Sequence, residues 1–311
     1  MKVLVTGGAG FIGSHVVDQL IQENHQVVIT DNLSTGNEAY LNPEAKFYHV
    51  SIESDDMGAI FASESPEVVI HLAAQIDVQK SLHDPQYDAA INILGTIHLL
   101  ELCKTHQTRK FIYSSSAAVY GNPNYLAIDE QHPIQPLSSY GISKYTPEKY
   151  IRMYADLTGL DYTILRYANV YGARQIPKGE GGVVSIFVDK LLAGESPIIF
   201  GDGLQTRDFI YVGDVARANI AAMYEGSREV VNISTNSPTS VSDLYSIIAD
   251  IYKTDLRPQL AQARDGDILH SYLDNAKAAR VLGWKPQISL LEGLNKTVEY
   301  YQSIHKTKVL L

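Results

Sequence analysis

Val3-Leu4-Val5-Thr6-Gly7-Gly8-Ala9-Gly10-Phe11-Ile12-Gly13-Ser14 is the stretch from which the fold can be read. An apolar β-branched run stops at Gly7, two more glycines follow at intervals of three, and a helical pattern begins. Gly7 lets the chain leave the strand in a tight turn, Gly10 lets backbone N–H groups approach a pyrophosphate, and Gly13 lets the helix pack closely on the strand. The helix N-terminus adds positive potential where phosphates sit. The next apolar run, Gln26-Val27-Val28-Ile29-Thr30, ends at Asp31, 18 residues (31 − 13) past the last glycine. A carboxylate there accepts hydrogen bonds from the adenine-ribose hydroxyls and repels a 2′-phosphate, which selects NAD over NADP.

Outward from this unit, β-branched runs alternate with helical spacing. Val3–Thr6, Gln26–Thr30, Phe47–Val50, Val68–Leu72, Lys110–Ser114 and Asp161–Arg166 read as strands. Ser14–Glu23, Asp56–Glu64, Asp88–His106 and a segment from Ser139 to Leu157 read as helices. Near-continuous apolar strands imply a parallel sheet covered on both faces. The expectation is an α/β, Rossmann-like doubly wound parallel sheet with ligands beyond the carboxyl ends of its strands. Past Tyr167 glycines at 179, 181, 182, 201 and 203 punctuate one helix, Val183–Leu192, and short strands. Phe209–Val212 reads as a strand returning to the sheet, and Val241–Tyr252 and Glu292–His305 read as helices. The expected division is a NAD-binding domain of residues 1–167 plus about 207–234, with a smaller α/β substrate lobe of about 168–206 and 235–311.

Composition narrows the function. With 45% hydrophobic and 19% charged residues, the 311-residue chain matches a globular protein able to bury a large core. A formal net charge of −10 argues against general nucleic-acid or acidic-membrane binding. Cys103 is the only cysteine, which excludes an internal disulfide and a cysteine-rich metal site, and no metal is expected. It lies in the apolar run His98–Cys103 and reads as a buried thiol. Gly7 interrupts the first apolar run after three residues, and no stretch approaches bilayer-spanning length, so a cytoplasmic protein is expected.

The chemistry centres on Ser138-Ser139-Tyr140-Gly141-Ile142-Ser143-Lys144. On a helix, i and i+4 share a face, so Tyr140 and Lys144 project into one space. A phenol with a pKa of about 10 is a poor base at neutral pH. A neighbouring ammonium and an oxidised nicotinamide stabilise its phenolate; a drop of about three units needs roughly 4 kcal/mol. Tyr145 and Lys149 match the same pattern, but they sit about 140° further around the axis. Tyr140 is preferred because the serine-rich strand end Ser114-Ser115-Ser116 lies upstream, where a hydroxyl can bond the reacting oxygen.

Together these stretches, with His71-Leu72-Ala73-Ala74 and Leu165-Arg166-Tyr167-Ala168-Asn169-Val170-Tyr171-Gly172, resemble the extended short-chain dehydrogenase/reductase family. Within it the resemblance is to UDP-glucose 4-epimerases and their nucleotide-sugar relatives, over essentially the whole chain. Gly201-Asp202-Gly203-Leu204-Gln205-Thr206-Arg207-Asp208-Phe209 and Arg264-Asp265-Gly266-Asp267 resemble the segments that hold UDP. The resemblance implies that Tyr140 removes the proton from the sugar 4-hydroxyl, Ser116 bonds that oxygen, and Lys144 holds the nicotinamide ribose while C4 is oxidised. The 4-keto sugar then turns and is reduced on its opposite face, so NAD stays bound and is regenerated each turnover.

By the same resemblance the cofactor residues are Gly7, Gly10, Phe11, Ile12, Gly13, Asp31, Asn32, Ser34, Thr35, Gly36, Ser51, Ile52, Leu72, Ala73, Ala74, Asn92, Ser114, Tyr140, Lys144 and Tyr167. For a UDP-sugar it implies Ser116, Tyr140, Asn169, Gly182, Val183, Phe200, Arg207, Arg264, Asp267 and Ser271. Arginines suit the diphosphate through bidentate, charge-assisted bonds. A homodimer is implied as well.

Family dehydratases and decarboxylases carry a glutamate just after the hydroxyl residue, where this chain has Ala117-Ala118, so simple epimerisation is favoured. The alternatives are UDP-glucuronate 4-epimerisation and a non-catalytic NAD-binding sensor. Ser271 stands where some relatives have a bulky tyrosine, which leaves room for an N-acetyl group. Three departures stand out: Ser51-Ile52 replaces an Asp-Ile or Asp-Leu pair, Ile76 replaces a lysine of some relatives, and Pro147 should kink the helix of Lys144.

Overall fold

In a computed structural model, which describes residues 1–177, 182–263 and 268–309 and side chains through His305, strands and helices alternate from the first residues onward. The order is β1 (Lys2–Thr6), α1 (Phe11–Gln22), β2 (Gln26–Asp31), β3 (Lys46–His49), α2 (Asp56–Glu64) and β4 (Val68–His71). Then come α3 (Val78–His83), α4 (Pro85–Ala89), a π-helical turn (Ala90–Leu94), α5 (Gly95–Thr105), β5 (Lys110–Ser116), α6 (Ser139–Thr158) and β6 (Asp161–Tyr167). The later elements are β7 (Asn169–Tyr171), α7 (Val183–Leu192), β8 (Ile198–Phe200), β9 (Thr206–Tyr211), α8 (Val212–Tyr224) and β10 (Glu229–Ile233). They end with β11 (Pro238–Ser240), α9 (Val241–Tyr252), β12 (Gln259–Ala261), α10 (Ala276–Val281) and α11 (Leu290–Val309).

Seven strands form a parallel sheet in the order β10-β6-β5-β4-β1-β2-β3. Strand alternation sends successive side chains to opposite faces, and here both faces are apolar. Val3, Val5, Ile29, Ile70 and Ile112 join α1 and α8 in one core. Leu4, Val28, Val69, Phe111 and Tyr113 join α2, α5 and α6 in the other. That is the doubly wound fold expected. Cys103 is buried in this second core, and burial pushes its thiol up to about 12.

One strand assignment needs correction. The strand that completes the sheet is β10, whereas Phe209–Val212 falls on β9 and the start of α8. β9 pairs with β7 and β11 in a separate three-stranded sheet, and its buried Phe209 joins a third core with α7, α9 and α11. The helix carrying Lys144 is unbroken from Ser139 through Pro147 to Thr158, so the proline does not interrupt it, although the one bond that it deletes, to the Ser143 carbonyl, spans Lys144. No helix among the described residues is long and apolar enough to cross a membrane.

Candidate active site

A cleft of about 860 Å³ opens along the carboxyl ends of β1, β2, β4, β5 and β6 and is closed on its other side by β7, α7, β8 and β9. Sheet order reverses between β1 and β4, so the cleft straddles the topological switch point where such sheets bind ligands.

The floor of the β1–α1 turn is shaped by glycines. Gly7 has φ +71°, and a Cβ there would lie 2.7 Å from the Ala73 nitrogen. A Cβ on Gly13 would run into the Gly7 carbonyl. Helix α1 starts with Gly10 as its N-cap, without a side-chain cap and without an acid in its first turn. Its first N–H groups therefore have no carbonyl to meet within the helix and face the cleft that Phe11, Ile12 and Gly13 line. Asp31 is buried at the end of β2; its carboxylate accepts from Ala9 N at 3.0 Å and Leu33 N at 2.8 Å. Burial raises its pKa, against those two hydrogen bonds. A narrow diphosphate cradle beside a fixed carboxylate fits a dinucleotide. Asn32, Ser34, Thr35, Ser51, Ile52, Leu72, Ala73, Ala74, Ser114 and Tyr167 also line this part of the cleft. Ser51 Oγ accepts from Asn32 Nδ2 at 2.9 Å, so the Ser51 departure is absorbed by a contact within the rim.

Ser116 closes β5, and its Oγ accepts from Ala118 N at 3.2 Å. Ser138 caps α6 through Gly141 N at 3.1 Å, which sets Tyr140 in the first turn; Tyr140 N donates to Ser81 Oγ at 3.0 Å. Ser116, Tyr140 and Lys144 all line the cleft. Burial pushes the Lys144 amine down to about 7, against the opposing fields of Asp88 and Glu148. The competing pair folds on itself instead: Lys149 Nζ lies 5.0 Å from the centre of the Tyr145 ring, and Tyr145 packs beside Val119 and Tyr120.

Across the cleft stand Asn169, Gly182, Val183, Phe200 and Arg207. Asn169 Nδ2 donates to Asp208 O at 3.2 Å, and Arg207 Nη1 to Thr206 O at 2.9 Å. Three expected residues lie off the lining. Gly36 sits behind Asp31, where a Cβ would meet Oδ1 at 2.8 Å. Ser271 N donates to Thr206 O at 3.1 Å beside the strand of Arg207. Asn92 is buried; it accepts from Gln75 N at 2.8 Å and donates to Ser143 Oγ at 2.9 Å, tying the loop after β4 to α6. Arg264 and Asp267 lie outside the described residues. Sequence reading missed Gln75, Lys80 and Tyr87, which also line the cleft, as does Gln205 from the stretch that resembles a UDP-holding segment. Lys80 Nζ stands 4.0 Å over the Tyr87 ring, a pairing across a proline-started helix that no periodicity reveals.

Comparison with known proteins agrees with this geometry. The model of the NAD dependent epimerase/dehydratase family matches residues 3–234. A UDP-glucose 4-epimerase from Mycolicibacterium smegmatis is 42% identical, with 97% of this chain and 99% of the relative covered. The crystal structure of the Thermotoga maritima UDP-glucose 4-epimerase with UDP-glucose superposes with a TM-score of 0.96 at 48% identity, covering 98% of this chain and 100% of that one. A UDP-N-acetylglucosamine 4-epimerase from Methanobrevibacter ruminantium, in complex with UDP-N-acetylmuramic acid, superposes with 0.94 at 36% identity, covering 97% and 98%. With a family match over most of its length and near-complete coverage of its relatives, this chain belongs to the NAD-dependent epimerase/dehydratase family.

Proposed function

We propose that the protein is a NAD-dependent 4-epimerase that interconverts UDP-glucose and UDP-galactose through a transient 4-keto sugar. The observation that carries this reading is the meeting of Ser116, Tyr140 and Lys144 with the dinucleotide cradle and with Asn169, Phe200 and Arg207 in one cleft. When bound, NAD supplies the oxidant and then the reductant for sugar C4. Gly7, Gly10 and the opening turn of α1 hold its diphosphate, and Asp31 holds its ribose hydroxyls. Residues 1–167 with about 207–234 serve the cofactor in this reading, apart from Arg207 and the rest of β9, which pack with the second lobe, and about 168–206 with 235–311 serve the sugar nucleotide.

Tyr140 Oη takes the proton of the sugar 4-hydroxyl and returns it to the epimer. Ser116 Oγ fixes the same oxygen. Lys144 binds the nicotinamide ribose and, as an ammonium, stabilises the Tyr140 phenolate. Ala117 and Ala118 offer no acid to carry the keto sugar into elimination. Arg207 and Asn169 hold the substrate diphosphate and Phe200 the uracil. The UDP-N-acetylglucosamine 4-epimerase among the similar structures supports turnover of UDP-N-acetylglucosamine as well, and Ser271, set back from the lining, adds no bulk against an N-acetyl group. A homodimer is the working state that the family resemblance suggests.

The test is incubation of purified protein with UDP-galactose and no added NAD. UDP-glucose is expected on chromatography, and UDP-N-acetylgalactosamine is tried next. No conversion with NAD added, but turnover of UDP-glucuronate, transfers the reading to the acid sugar.

A further inference from the structure

Asp88, the fourth residue of α4, has 1% of its surface exposed. Its Oδ1 accepts from Gln75 Nε2 at 2.7 Å and from Asn92 Nδ2 at 3.2 Å. Its Oδ2 is buried and has no hydrogen-bond partner among the described residues. A carboxylate oxygen taken from water without a donor is costly, so its retention calls for a compensating interaction. α4 packs against α6, and Asn92 carries the connection on to Ser143, the residue before Lys144.

The groups that face Lys144 narrow that interaction. From β5 comes the Tyr113 ring, uncharged. From β4 comes His71, which burial and Lys144 together push down to about 3, so it is neutral. From α6 come Tyr140, whose phenol shares the cleft, and Glu148. Both Glu148 oxygens are taken by the Arg166 guanidinium, at 3.0 and 2.6 Å, so a full positive charge already answers that carboxylate. Asp88 has no such cation bonded to it among the described residues.

We propose that Asp88, tied through Asn92 to the residue before Lys144, is the buried counter-charge of that lysine, a positioning residue that keeps it an ammonium. This rests on the reading of Lys144 given above. The coupling acts through space: neutral amides from Gln75 and Asn92 hold the carboxylate, and its second oxygen is left without a donor to disperse its charge. Through a poorly solvated interior such a field is strong.

The test is the titration of the Lys144 ε-CH2 signal by NMR in ¹³C-lysine-labelled holoenzyme, assigned by its loss in Lys144→Arg. This readout needs no turnover, so failure of the epimerase reading leaves it interpretable. Asp88→Asn is expected to lower the inflection by about one pH unit, a tenfold change. The alkaline limb of kcat should move down with it. Gln75→Ala breaks the same hydrogen-bond cluster without removing charge and is expected to leave the inflection in place. If Asp88→Asn does not fold, Asp88→Ser, which leaves room for water, takes its place. An inflection unmoved by loss of the carboxylate, or moved equally by Gln75→Ala, overturns the proposal.

Discussion

Tyr113 holds Lys144 at both ends: its ring centre lies 4.7 Å from Nζ, and its hydroxyl donates to the Lys144 carbonyl at 3.2 Å. The tyrosine is buried on β5 just before the serine run, so one side chain joins that strand to the lysine of α6. Tyr113→Phe removes only the hydroxyl contact, worth about 1 kcal/mol, and turnover should fall a few-fold. Tyr113→Leu also removes the ring face under a desolvated ammonium, worth about 2 kcal/mol, and turnover should fall at least tenfold. Steady-state kinetics on the two variants checks the order.

Tyr140→Phe leaves the dinucleotide cradle intact and deletes the group proposed to move the sugar proton. Turnover is expected to fall by about 10²–10⁴ while bound NAD is retained. Paired measurements of kcat and of NAD released on denaturation decide it. Equal loss of cofactor and turnover assigns Tyr140 to binding instead.

Glu148 and Arg166 form a buried ion pair that Ser115 and Tyr120 complete, with Ser115 Oγ donating at 2.6 Å and Arg166 Nη1 donating to the Tyr120 hydroxyl at 3.0 Å. Arg166→Met strands a carboxylate in the core and should cost about 3–5 kcal/mol. The double variant with Glu148→Leu should recover most of that loss. Urea unfolding of the single and double variants measures both.

His71 is sealed between two threonines, with Nδ1 2.7 Å from Thr6 Oγ1 and Nε2 3.0 Å from Thr96 Oγ1. Thr96 spends its hydroxyl proton on Asn92 O at 2.6 Å, so it accepts from His71, which must carry its proton on Nε2. Thr6 then donates to Nδ1, and its oxygen accepts Leu72 N and Ala73 N, both at 3.2 Å. The neutral ring thereby fixes the loop under Gly7. Two-bond ¹H–¹⁵N correlations should show the Nε2–H tautomer at neutral pH. Because burial holds the folded pKa near 3 against 6.5 for the free side chain, the unfolded chain binds more protons between these values. The stability contribution is full above pH 6.5 and declines as pH falls toward 3. By pH 5 the loss is about 2 kcal/mol, and His71→Gln should flatten that slope in thermal unfolding.

Much of this was legible in the sequence because one principle governs it. Strands covered on both faces read as unbroken apolar runs, and Val3–Thr6, Gln26–Thr30 and Lys110–Ser114 stand within observed strands. The second lobe was harder: β7, β8, β11 and β12 are three residues each, too short to show a period. β10 escaped because Asn232 interrupts its apolar run, yet that side chain is fully buried, taking Tyr120 Oη at 2.7 Å and giving to Ile128 O at 3.0 Å. The π-helical turn at Ala90–Leu94 hides in a pattern that reads as one helix from Asp88 to His106. It places Asn92 inward between Gln75 and Ser143, where resemblance alone set it among the cofactor residues.

Transient oxidation at C4 with return to the same carbon is tested most directly with UDP-galactose carrying deuterium at C4 and enzyme without added NAD. UDP-glucose that retains the deuterium at C4 is the expected product, because Tyr140, Ser116 and Lys144 handle only the hydroxyl proton. Product in which C4 has exchanged with solvent, at full conversion, contradicts that division of labour.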